Sequence, residues 1–545
     1  TKERIDTLRE LDKKTDYVKT LSQVYEKCET LTGEVAFFIE QVTGHLIPDM
    51  RYALKNGIKA MLNDIEEKQK TANKDQYENY EAMKVALDCA LILAKRYKAI
   101  AEEKLAVAEG NRKEELKLLV DTLEKVPENG AETLYEAIQS FIILWETMCL
   151  EQAPNPFAFS VGNADRIFEP YRAKDNLSRE ETAALFKHFL VFFNVADRSW
   201  AISQNLIVSG RDKNGNDLTN PSTYALLDAY YEMNLPQPIL SVKLHKNTPQ
   251  KLYEELGRFL FTPGCLTPSF FNDDSLYQVL SKAGIDIDDI EDTSIAGCQE
   301  PLIMGKDNGN TTNSWFNLGK VLELTLNNGY STITGERIGT ACEETDALSA
   351  LKNIRERFYK NAQYFCDEMV KAANGASRAI SHLPVPFLST VMGGIESGYD
   401  TRDINNQGTK YNGSGCLIHG TSVVADSFIA IDKLINERPE DAQNLLDALK
   451  CNFEGYEELR EFLLSAPKFG NNIDVIDKET AELTSKIADM VRAQKNYLGN
   501  NFRPDFSTPS THLLYGYWVG ALPCGRKSRD MLNYGVDPLY GEAQN

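Results

Sequence analysis

The sequence lacks the features that would place it in several common protein classes. No apolar run approaches the roughly 20 residues that a membrane-spanning helix needs, and the first residues, TKERIDTLRELDKK, are too highly charged for a secretory signal. The motifs G-x-x-x-x-G-K-[ST], G-x-G-x-x-G, H-E-x-x-H and G-x-S-x-G are also absent. Their absence disfavours P-loop nucleotide binding, dinucleotide binding, zinc-protease chemistry and serine-hydrolase chemistry.

Positive charge is also scarce. Lys and Arg number 59 against 80 Asp and Glu, which gives a formal net charge of -21. A protein that binds nucleic acid or an anionic membrane presents a basic face, so we expect neither partner. Hydrophobic residues at 42% and charged residues at 26% are typical of a soluble globular enzyme. We therefore expect a soluble, cytoplasmic protein.

Metal-ligating residues are few and widely spaced. The ten cysteines include no C-x-x-C pair, and the nearest two, Cys342 and Cys366, lie 24 positions apart. The six histidines show no metal-like spacing. Zinc and iron–sulfur sites usually gather ligands in such local motifs, so we expect no bound metal. Because the nucleotide-binding motifs are absent as well, we also expect no bound nucleotide. Most of the cysteines are expected to be small buried hydrophobic residues rather than disulfide partners.

The hydrophobic pattern changes near residue 150. Before it, segments such as AMKVALDCALILAKRYKAIAEEKLAVAEG carry apolar residues at helical spacing and end at glycine. After it, strand-like runs such as QNLIVSG and QPILSVKLH alternate with helical stretches such as SREETAALFKHFLVFF. Alternating strands and helices predict an α/β fold. We therefore predict one large domain, with residues 1–150 forming a helical N-terminal part and residues 151–545 an α/β core.

The segment GCQEP at residues 297–301, here named the Cys-Glu loop, carries the strongest chemical signal. In an extended segment alternate side chains share a face, so Cys298 and Glu300 would project together into one cavity while Gln299 points away. Gly297 permits dihedrals or a close backbone approach that other residues do not. Pro301 stiffens the exit from the loop.

Three interpretations of this pair compete. In the first, Cys298 is a buried small residue and Glu300 is a surface charge. In the second, Cys298 is a polar nucleophile, but a neighbouring carboxylate raises the pKa of a thiol rather than lowering it. In the third, the thiol shuttles a hydrogen atom while Glu300 moves a proton on the same substrate. A sulfur radical needs no low pKa, so the third interpretation fits the local chemistry best.

Several segments, in order from about residue 40 to the end, resemble the glycyl radical enzymes, the superfamily of pyruvate formate-lyase and its dehydratase and lyase relatives. GCQEP is similar to the family's Gly-Cys-x-Glu-Pro loop, and TPSFFNDD to its Pro-Ser-x-x-Asn-Asp turn. GKDNGNTTNSWFNLGKVLELTLNNG resembles the segment that follows, including Asn317 and Leu322-Glu323-Leu324. STVMGGIESGYDTRDINNQGTKYN and VVADSFIAIDKLI resemble the next block. VGALPCGRKS resembles the Gly-Ala-x-Pro-Asp-Gly-Arg stretch, with Cys524 where Asp is usual.

The resemblance implies a ten-stranded α/β barrel, made of two antiparallel five-stranded halves and surrounded by helices, with the Cys-Glu loop inside it. It implies that a radical stored on a backbone glycine takes a hydrogen atom from Cys298. The resulting thiyl radical would take a hydrogen atom from the substrate, with Glu300 as general base. The resemblance also implies a radical S-adenosylmethionine activating enzyme, an anaerobic setting and a homo-oligomer.

The family's radical glycine lies in a motif resembling Arg-Val-x-Gly-Tyr, which this sequence does not contain. The sequence ends in MLNYGVDPLYGEAQN, which corresponds to a point before the glycyl radical domain of the family. Three explanations are open: a split enzyme whose small second subunit carries the glycine, a truncated chain, or a non-catalytic paralogue. The presence of Cys298 and Glu300 argues against the paralogue. The polar, glycine-containing tail favours the split enzyme.

The Cys-Glu loop also narrows the reaction that the resemblance implies. Pyruvate formate-lyase uses two adjacent cysteines, whereas Gly297 precedes Cys298 here, so a formate acetyltransferase is the weaker alternative. A dehydratase, a C–N or C–S lyase, or a decarboxylase acting on a small organic compound fits better. Diol dehydratases of the family carry Asp fourteen residues after the cysteine, where this chain has Thr312, and a His-Ser pair near Phe157 and Ala158. We therefore do not expect glycerol or propane-1,2-diol as the substrate.

Other candidate substrate-binding residues follow from the same resemblance, each with a structural alternative. Arg166, in Gly162-Asn163-Ala164-Asp165-Arg166, could bind an anionic substrate or form an ion pair with Asp165 or another acid. His45, in GHLIPD, matches a position that often touches substrate but could be a satisfied histidine at a helix start, and Asp49 is a weaker candidate. The remaining candidates are Ser203, Gln204, Trp315, Phe316, Ser507 and Thr508, of which the two aromatic residues could be plain core.

Overall fold

The structure is a computed structural model that describes residues 2–32, 34–37, 44–152, 157–195, 203–341, 343–344, 346–508 and 511–544. The chain folds into two compact units, each built from separate stretches of sequence. Unit 1 comprises Thr1–Val42, Thr311–His382 and Gly413–Asn545, and unit 2 comprises Thr43–Asn310 and Leu383–Asn412. These units do not follow the expected boundary at residue 150, and a division of the chain there stays a prediction.

Helices make up most of the regular structure in the described residues. They are α1 Lys2–Asp12, α2 Asp16–Thr32, α3 Arg51–Asn56, α4 Ile58–Gln69, α5 Lys74–Leu105, α6 Gly110–Lys125, α7 Leu134–Glu151, α8 Ala164–Asp175, α9 Arg179–Val195, α10 Pro221–Met233, α11 Gln250–Phe261, α12 Asp273–Lys282, α13 Leu318–Leu326, α14 Ala347–Lys352, α15 Ile354–Ile380, α16 Pro386–Thr390, α17 Gly394–Ser397, α18 Thr421–Glu437, α19 Ala442–Lys450, α20 Glu457–Leu464, α21 Asp474–Arg492 and α22 Thr511–Tyr517. Each of them is too short or too polar to span a bilayer.

The strands are shorter. They are β1 Ala36–Phe37, β2 Gly162–Asn163, β3 Asn205–Ser209, β4 Ile239–Leu244, β5 Ser269–Asn272, β6 Thr293–Ala296, β7 Glu300–Ile303, β8 Asp307–Asn308, β9 Ser314–Asn317, β10 Tyr411–Asn412, β11 Ser414–His419 and β12 Phe502–Asp505. Short 3₁₀ turns at Ile290–Asp292 and Pro439–Asp441 complete the regular structure.

Unit 2 is built around a parallel sheet of order β2-β3-β4-β5. Helices α8 and α9 connect β2 to β3, α10 connects β3 to β4, and α11 connects β4 to β5. Such helical crossovers bury both faces of a parallel sheet, which is why β3 reads as the nearly continuous apolar run NLIVS. Aromatic side chains of α7 and α9 pack edge to face beside the sheet, with the rings of Phe141 and Phe189 5.5 Å apart.

Two helices that flank the unit 2 sheet begin at residues whose side chains satisfy the first backbone N–H groups. Thr133 and Glu136 form a reciprocal capping box at the start of α7. Asn220 and Thr223 do the same for α10, where Pro221 occupies the first helical position. These local signals fix where the crossover helices start, and the helices in turn fix the ends of the strands.

Unit 1 has a sheet of order β1-β9-β11-β12, in which β1 runs antiparallel to β9 and the other neighbours are parallel. Helices α13, α15, α18 and α21 pack with this sheet around a continuous apolar core. The mixture of parallel sheets and covering helices in both units confirms the predicted α/β class.

These two larger sheets each contain four strands in the described residues, and β8 and β10 form a separate parallel pair. The segment after β5 does not lengthen the unit 2 sheet. It forms a separate antiparallel hairpin of β6 and β7, which carries the Cys-Glu loop. Pro301 lies in β7 and has no N–H to donate, so a two-stranded ribbon suits this segment better than the centre of a sheet.

Candidate active site

The Cys-Glu loop is the turn of the β6–β7 hairpin. Ala296 pairs with Glu300 across the hairpin, and three turn residues join them. Cys298 is half-buried at this turn, and the Gln299 side chain is exposed. The loop is therefore a tight turn rather than the extended segment assumed from the sequence, and Glu300 enters the interior as the first residue of β7.

Glycine is the only residue type that fits at position 297. Its φ of 61° lies in the left-handed region, which side chains disfavour. A Cβ atom there would also lie 2.4 Å from His45 Cδ2 and 2.6 Å from His45 Nε2. The imidazole of His45 therefore packs directly against the backbone of the loop, which brings two of the residues singled out from the sequence into contact.

Glu300 is buried, with 3% of its surface exposed. One carboxylate oxygen, Oε2, accepts a hydrogen bond from the Gln299 N–H at 3.0 Å, and Oε1 lies 3.8 Å from His45 Nε2. Burial raises the pKa of Glu300, and the backbone N–H groups of Gln299, Glu300 and Cys298 oppose that rise. A carboxyl group in this balance can take up and release a proton, which suits a general base.

His45 is held in a strained conformation. Its φ is 58°, its backbone N–H donates to the Phe157 carbonyl at 3.1 Å, and its ring meets the Phe157 ring edge to face at 5.3 Å. Ala158 and Ser203 also have positive φ values, of 55° and 54°. Non-glycine residues in this region concentrate at functional sites, where the surrounding structure enforces the strain.

Both polar groups of Gly297 are held by buried side chains that sequence reasoning missed. The Gly297 N–H donates to Ser160 Oγ at 3.2 Å, and the Gly297 carbonyl accepts from Asn205 Nδ2 at 3.1 Å. Asn205 Nδ2 also donates to Ser241 Oγ at 2.9 Å. All three of these side chains are fully buried. A polar residue that opens the apolar run NLIVS was the available signal for Asn205.

The base of the hairpin is held by charge. Arg51 lies 2.7 Å from both Asp49 and Asp292, the residue just before β6. Burial alone would raise the pKa of Asp292, but hydrogen bonds from Arg51 outweigh it and lower the pKa. Lys243, fully buried on β4, donates to the carbonyl of Thr293 at 2.9 Å. Asp49 therefore belongs to an ion-pair network, and its substrate-binding role stays a prediction.

Asp165 and Arg166 also make structural contacts. Asp165 is fully buried and accepts hydrogen bonds from the Ser209 N–H at 2.8 Å and from Thr223 Oγ1 at 2.6 Å. Arg166 donates to the Glu291 carbonyl at 2.6 Å and lies 3.5 Å from Asp292. These contacts favour the ion-pair alternative for Arg166 over anion binding.

Ser203 and Gln204 lead into β3. Ser203 is partly buried, and Gln204 is buried with its carbonyl accepting from the Ile239 N–H at 2.7 Å. They therefore immediately precede Asn205, which contacts the Cys-Glu loop. A direct role of Ser203 in substrate binding stays a prediction.

The remaining candidates lie in unit 1. Trp315 is buried on β9 and stacks against His419 at 5.5 Å, while Phe316 belongs to the core. Thr312 is buried, and Thr508 Oγ1 accepts from the Gly535 N–H at 2.7 Å. The Ser507 N–H donates to Asp505 Oδ1 at 2.8 Å. Their proposed roles toward substrate stay predictions.

Within the described parts of the chain, no group of three or more His, Cys, Asp or Glu side chains is arranged to hold a metal ion. The described side chains at the Cys-Glu loop offer a thiol on a half-buried residue, a buried carboxyl group and an imidazole. A thiol near a carboxyl group suits hydrogen-atom transfer, because that step moves no charge.

The chain is similar in sequence to one protein family and to several characterised enzymes. The family model for pyruvate formate lyase-like proteins matches residues 9–516. Trans-4-hydroxy-L-proline dehydratase of Clostridioides difficile is 29% identical over 90% of this chain and 64% of its own length. Isethionate sulfite-lyase of Oleidesulfovibrio alaskensis is 24% identical over 92% of this chain and 63% of its own length. The chain thus spans less than two-thirds of these relatives.

The fold is also similar to that of a solved structure. The crystal structure of a glycyl radical enzyme from Archaeoglobus fulgidus matches with a TM-score of 0.87 and 26% sequence identity. The match covers 97% of this chain and 70% of that chain.

Proposed function

The chain belongs to the pyruvate formate lyase-like family, and from that premise we propose that it is the thiyl-bearing part of a glycyl radical enzyme. It removes a hydrogen atom from a small organic substrate and so drives a dehydration, a C–N, C–S or C–C cleavage, or a decarboxylation. The observation that carries the proposal is the Cys-Glu loop, which presents a thiol and a buried carboxyl group on one glycine-supported turn.

The protein-derived group that this function needs fits the residues at the loop. A glycyl radical supplies the one-electron oxidation that removes the hydrogen atom from the Cys298 thiol. Cys298 is half-buried at a turn rather than enclosed in the core. The Glu300 carboxyl group beside it would oppose a thiolate but does not oppose a neutral sulfur radical.

The proposed cycle starts once Cys298 Sγ lacks its hydrogen atom. Sγ takes a hydrogen atom from a substrate carbon that bears a hydroxyl or amino group, and Glu300 accepts the proton from that oxygen or nitrogen. The leaving group on the adjacent carbon departs with the electron pair of its bond and takes the proton from Glu300. The radical is then on the adjacent carbon, where it recovers the hydrogen atom from the Cys298 thiol.

We assign the two proton transfers to Glu300, with His45 beside it. The raised pKa of Glu300 supports a carboxyl group that holds a proton between the two transfers. The 3.8 Å distance from His45 Nε2 to Glu300 Oε1 supports a contact of His45 with the substrate group that Glu300 deprotonates. Both side chains are nearly fully buried, so bulk water does not compete for the proton.

The substrate class follows from the residues beside His45. Phe157 packs its ring against His45, so the wall beside His45 is apolar. Such a wall disfavours a glycerol-like polyol and favours a substrate with one polar end and one apolar end. The matched relatives are named as a dehydratase and a sulfite-lyase, which supports loss of a leaving group beside the radical carbon.

We propose that the radical glycine is carried by a separate small subunit; the 545 residues themselves contain no Arg-Val-x-Gly-Tyr motif. A radical S-adenosylmethionine enzyme would install the radical. The two subunits would form a pair, and several identical pairs would assemble into an oligomer. The complex would work in an oxygen-free cytoplasm.

Anaerobic purification from the native source, followed by mass measurement of every chain that travels with this one, tests the proposal. The expected result is a small subunit with a Val-x-Gly-Tyr motif. One longer polypeptide that contains both parts would contradict the separate subunit but keep the radical enzyme. After activation, Cys298→Ala should lose all turnover while assembly is kept. Unchanged turnover in Cys298→Ala would instead identify a protein that does not use the thiol.

A further inference from the structure

We propose that Asn205 is a positioning residue for the Cys-Glu loop: its side-chain amide fixes the plane of the peptide group between Gly297 and Cys298. It thereby sets the placement of the Cys298 thiol relative to the Glu300 carboxyl group. The inference rests on the function proposed above, because the relative placement of these two groups matters only if they act on one substrate.

The first argument is geometric. The Gly297 carbonyl and the Cys298 N–H belong to one planar peptide group. Asn205 Nδ2 donates to the carbonyl side of that group at 3.1 Å. The N–H on its other side, that of Cys298, is one of the backbone groups that oppose the rise in the pKa of Glu300. The orientation of this peptide group therefore links Asn205 to the proposed general base.

The second argument is electrostatic. A hydrogen bond to a peptide carbonyl polarises the group and makes its N–H a stronger donor. Asn205 therefore strengthens the interaction between the Cys298 N–H and the Glu300 carboxylate. Loss of the Asn205 amide would weaken that interaction, favour the protonated form of Glu300 and let the peptide plane rotate.

The third argument is the folding free energy that a buried amide costs at this position. Asn205 is fully buried, and in the part of the chain that the structure describes its Oδ1 has no hydrogen-bond partner. An unpaired buried oxygen costs folding free energy that an apolar residue would not. The neighbours Leu206, Ile207 and Val208 are all apolar and buried. The bond to Gly297 accounts for an amide at this position of the strand.

Ser160 provides a built-in comparison. Its Oγ accepts from the Gly297 N–H, which belongs to the preceding peptide group. Ser160 therefore holds the loop without acting on the Gly297–Cys298 plane. Asn361, buried in unit 1 with its Nδ2 2.8 Å from Thr325 Oγ1, is a matched control for the loss of a buried amide.

Infrared titration of Glu300 tests the proposal without any radical or substrate. The carboxyl bands are assigned by subtracting the spectrum of Glu300→Gln, and the titratable neighbour to account for is His45, whose Nε2 lies 3.8 Å from Glu300 Oε1. In Asn205→Ala the Glu300 midpoint should rise by about one pH unit. The rise should be smaller in Ser160→Ala and absent in Asn361→Ala. Asn205→Leu, which keeps the side-chain volume, should repeat the shift if the alanine variant folds poorly.

Hydrogen exchange in the activated enzyme provides the second readout. Thiol hydrogens exchange with water, so in D₂O the α-hydrogen of the radical glycine is replaced by deuterium through Cys298, and the doublet in the electron paramagnetic resonance spectrum collapses. Asn205→Ala should slow this collapse about tenfold or more. An unchanged Glu300 midpoint or an unchanged collapse rate in Asn205→Ala overturns the inference. If the wild-type doublet does not collapse at all, the proposed function is wrong, whatever the infrared result.

Discussion

The two ends of the β6–β7 hairpin are held by different kinds of interaction. At the turn, Gly297 is held by two neutral side chains, the hydroxyl group of Ser160 and the amide of Asn205. At the base, Asp292 is held by the guanidinium group of Arg51. The hairpin therefore combines a charged anchor at its base with neutral hydrogen bonds at its turn.

The difference suits the chemistry proposed for the turn. The pKa of Glu300 responds to burial and to backbone N–H groups of the loop. A guanidinium group at the turn would hold the carboxylate ionised and prevent it from carrying a proton. Neutral hydrogen bonds fix geometry with a much smaller effect on the pKa of Glu300 than a full positive charge would have. Cations can therefore anchor the hairpin only at a distance from Glu300. The predictions below test whether geometry and charge are separated in this way.

The largest effect is expected from Gly297→Ala. The new Cβ would meet the His45 ring at 2.4 Å in a left-handed backbone conformation. We expect turnover to fall about 100-fold and the free energy of unfolding to fall by about 2–4 kcal/mol. Chemical denaturation and kcat measure the two effects. Gly257→Ala, in α11 with open space around the new methyl group, is the control and should not reduce either quantity. Full activity in Gly297→Ala would show that the His45 contact is unimportant.

A test of the base is Arg51→Met, which removes the cation that Asp49 and Asp292 share and leaves Asp292 with its longer 3.5 Å contact to Arg166. We expect the free energy of unfolding to fall by about 2–4 kcal/mol, below the full value for a buried pair because 35% of the Arg51 side chain is exposed. The Glu300 midpoint should not move. Arg112→Met removes an exposed pair with Glu115 and should leave stability unchanged. A shift of the Glu300 midpoint in Arg51→Met would contradict the separation of the two ends.

Lys243 gives the base a pH dependence of its own. Burial lowers the pKa of Lys243 from 10.5 to about 8, with Asp273, Arg166, Asp165 and Asp292 the charged groups around it. Because the unfolded chain binds this proton more tightly, wild-type stability should rise relative to Lys243→Met as the pH increases from 8 to 10.5. The expected rise is about 3 kcal/mol, measured as the difference between denaturation curves of the two proteins at each pH. If the stability difference between the two proteins did not change with pH, burial would not lower the pKa of Lys243.

The smallest effect is expected from Arg166→Met. If Arg166 anchors the base through Glu291 and Asp292, the free energy of unfolding should fall by about 1–2 kcal/mol with KM unchanged. If it binds an anionic substrate, KM should rise several-fold or more with little change in stability. Steady-state kinetics with any accepted substrate, beside denaturation, distinguish the two roles.

Local sequence pattern predicted the α/β class, because strand and helix periodicity is contained in short segments. The Gly-Cys-x-Glu-Pro spacing is equally local and singled out Cys298 and Glu300, whose catalytic roles stay predictions. It predicted an extended loop, whereas the structure has a turn, because the pairing of Ala296 with Glu300 depends on two strands that each look ordinary alone.

Long-range contacts were beyond reach of the sequence pattern. Asn205 meets Gly297 across 92 positions, and Arg166 meets Glu291 across 125. A lone polar residue in a buried strand indicates that a partner exists but not which one. The role of such residues is decided by the packing of strands onto the hairpin.

The measurement that tests the central claim most directly is solvent deuterium exchange into the glycyl radical of the activated protein, with wild type beside Cys298→Ala. Both samples should show the radical, since the variant leaves the glycine untouched. The account predicts that the hydrogen doublet collapses in D₂O for wild type and persists for Cys298→Ala. A doublet that collapses equally in both would contradict the assignment of Cys298 as the hydrogen-atom shuttle.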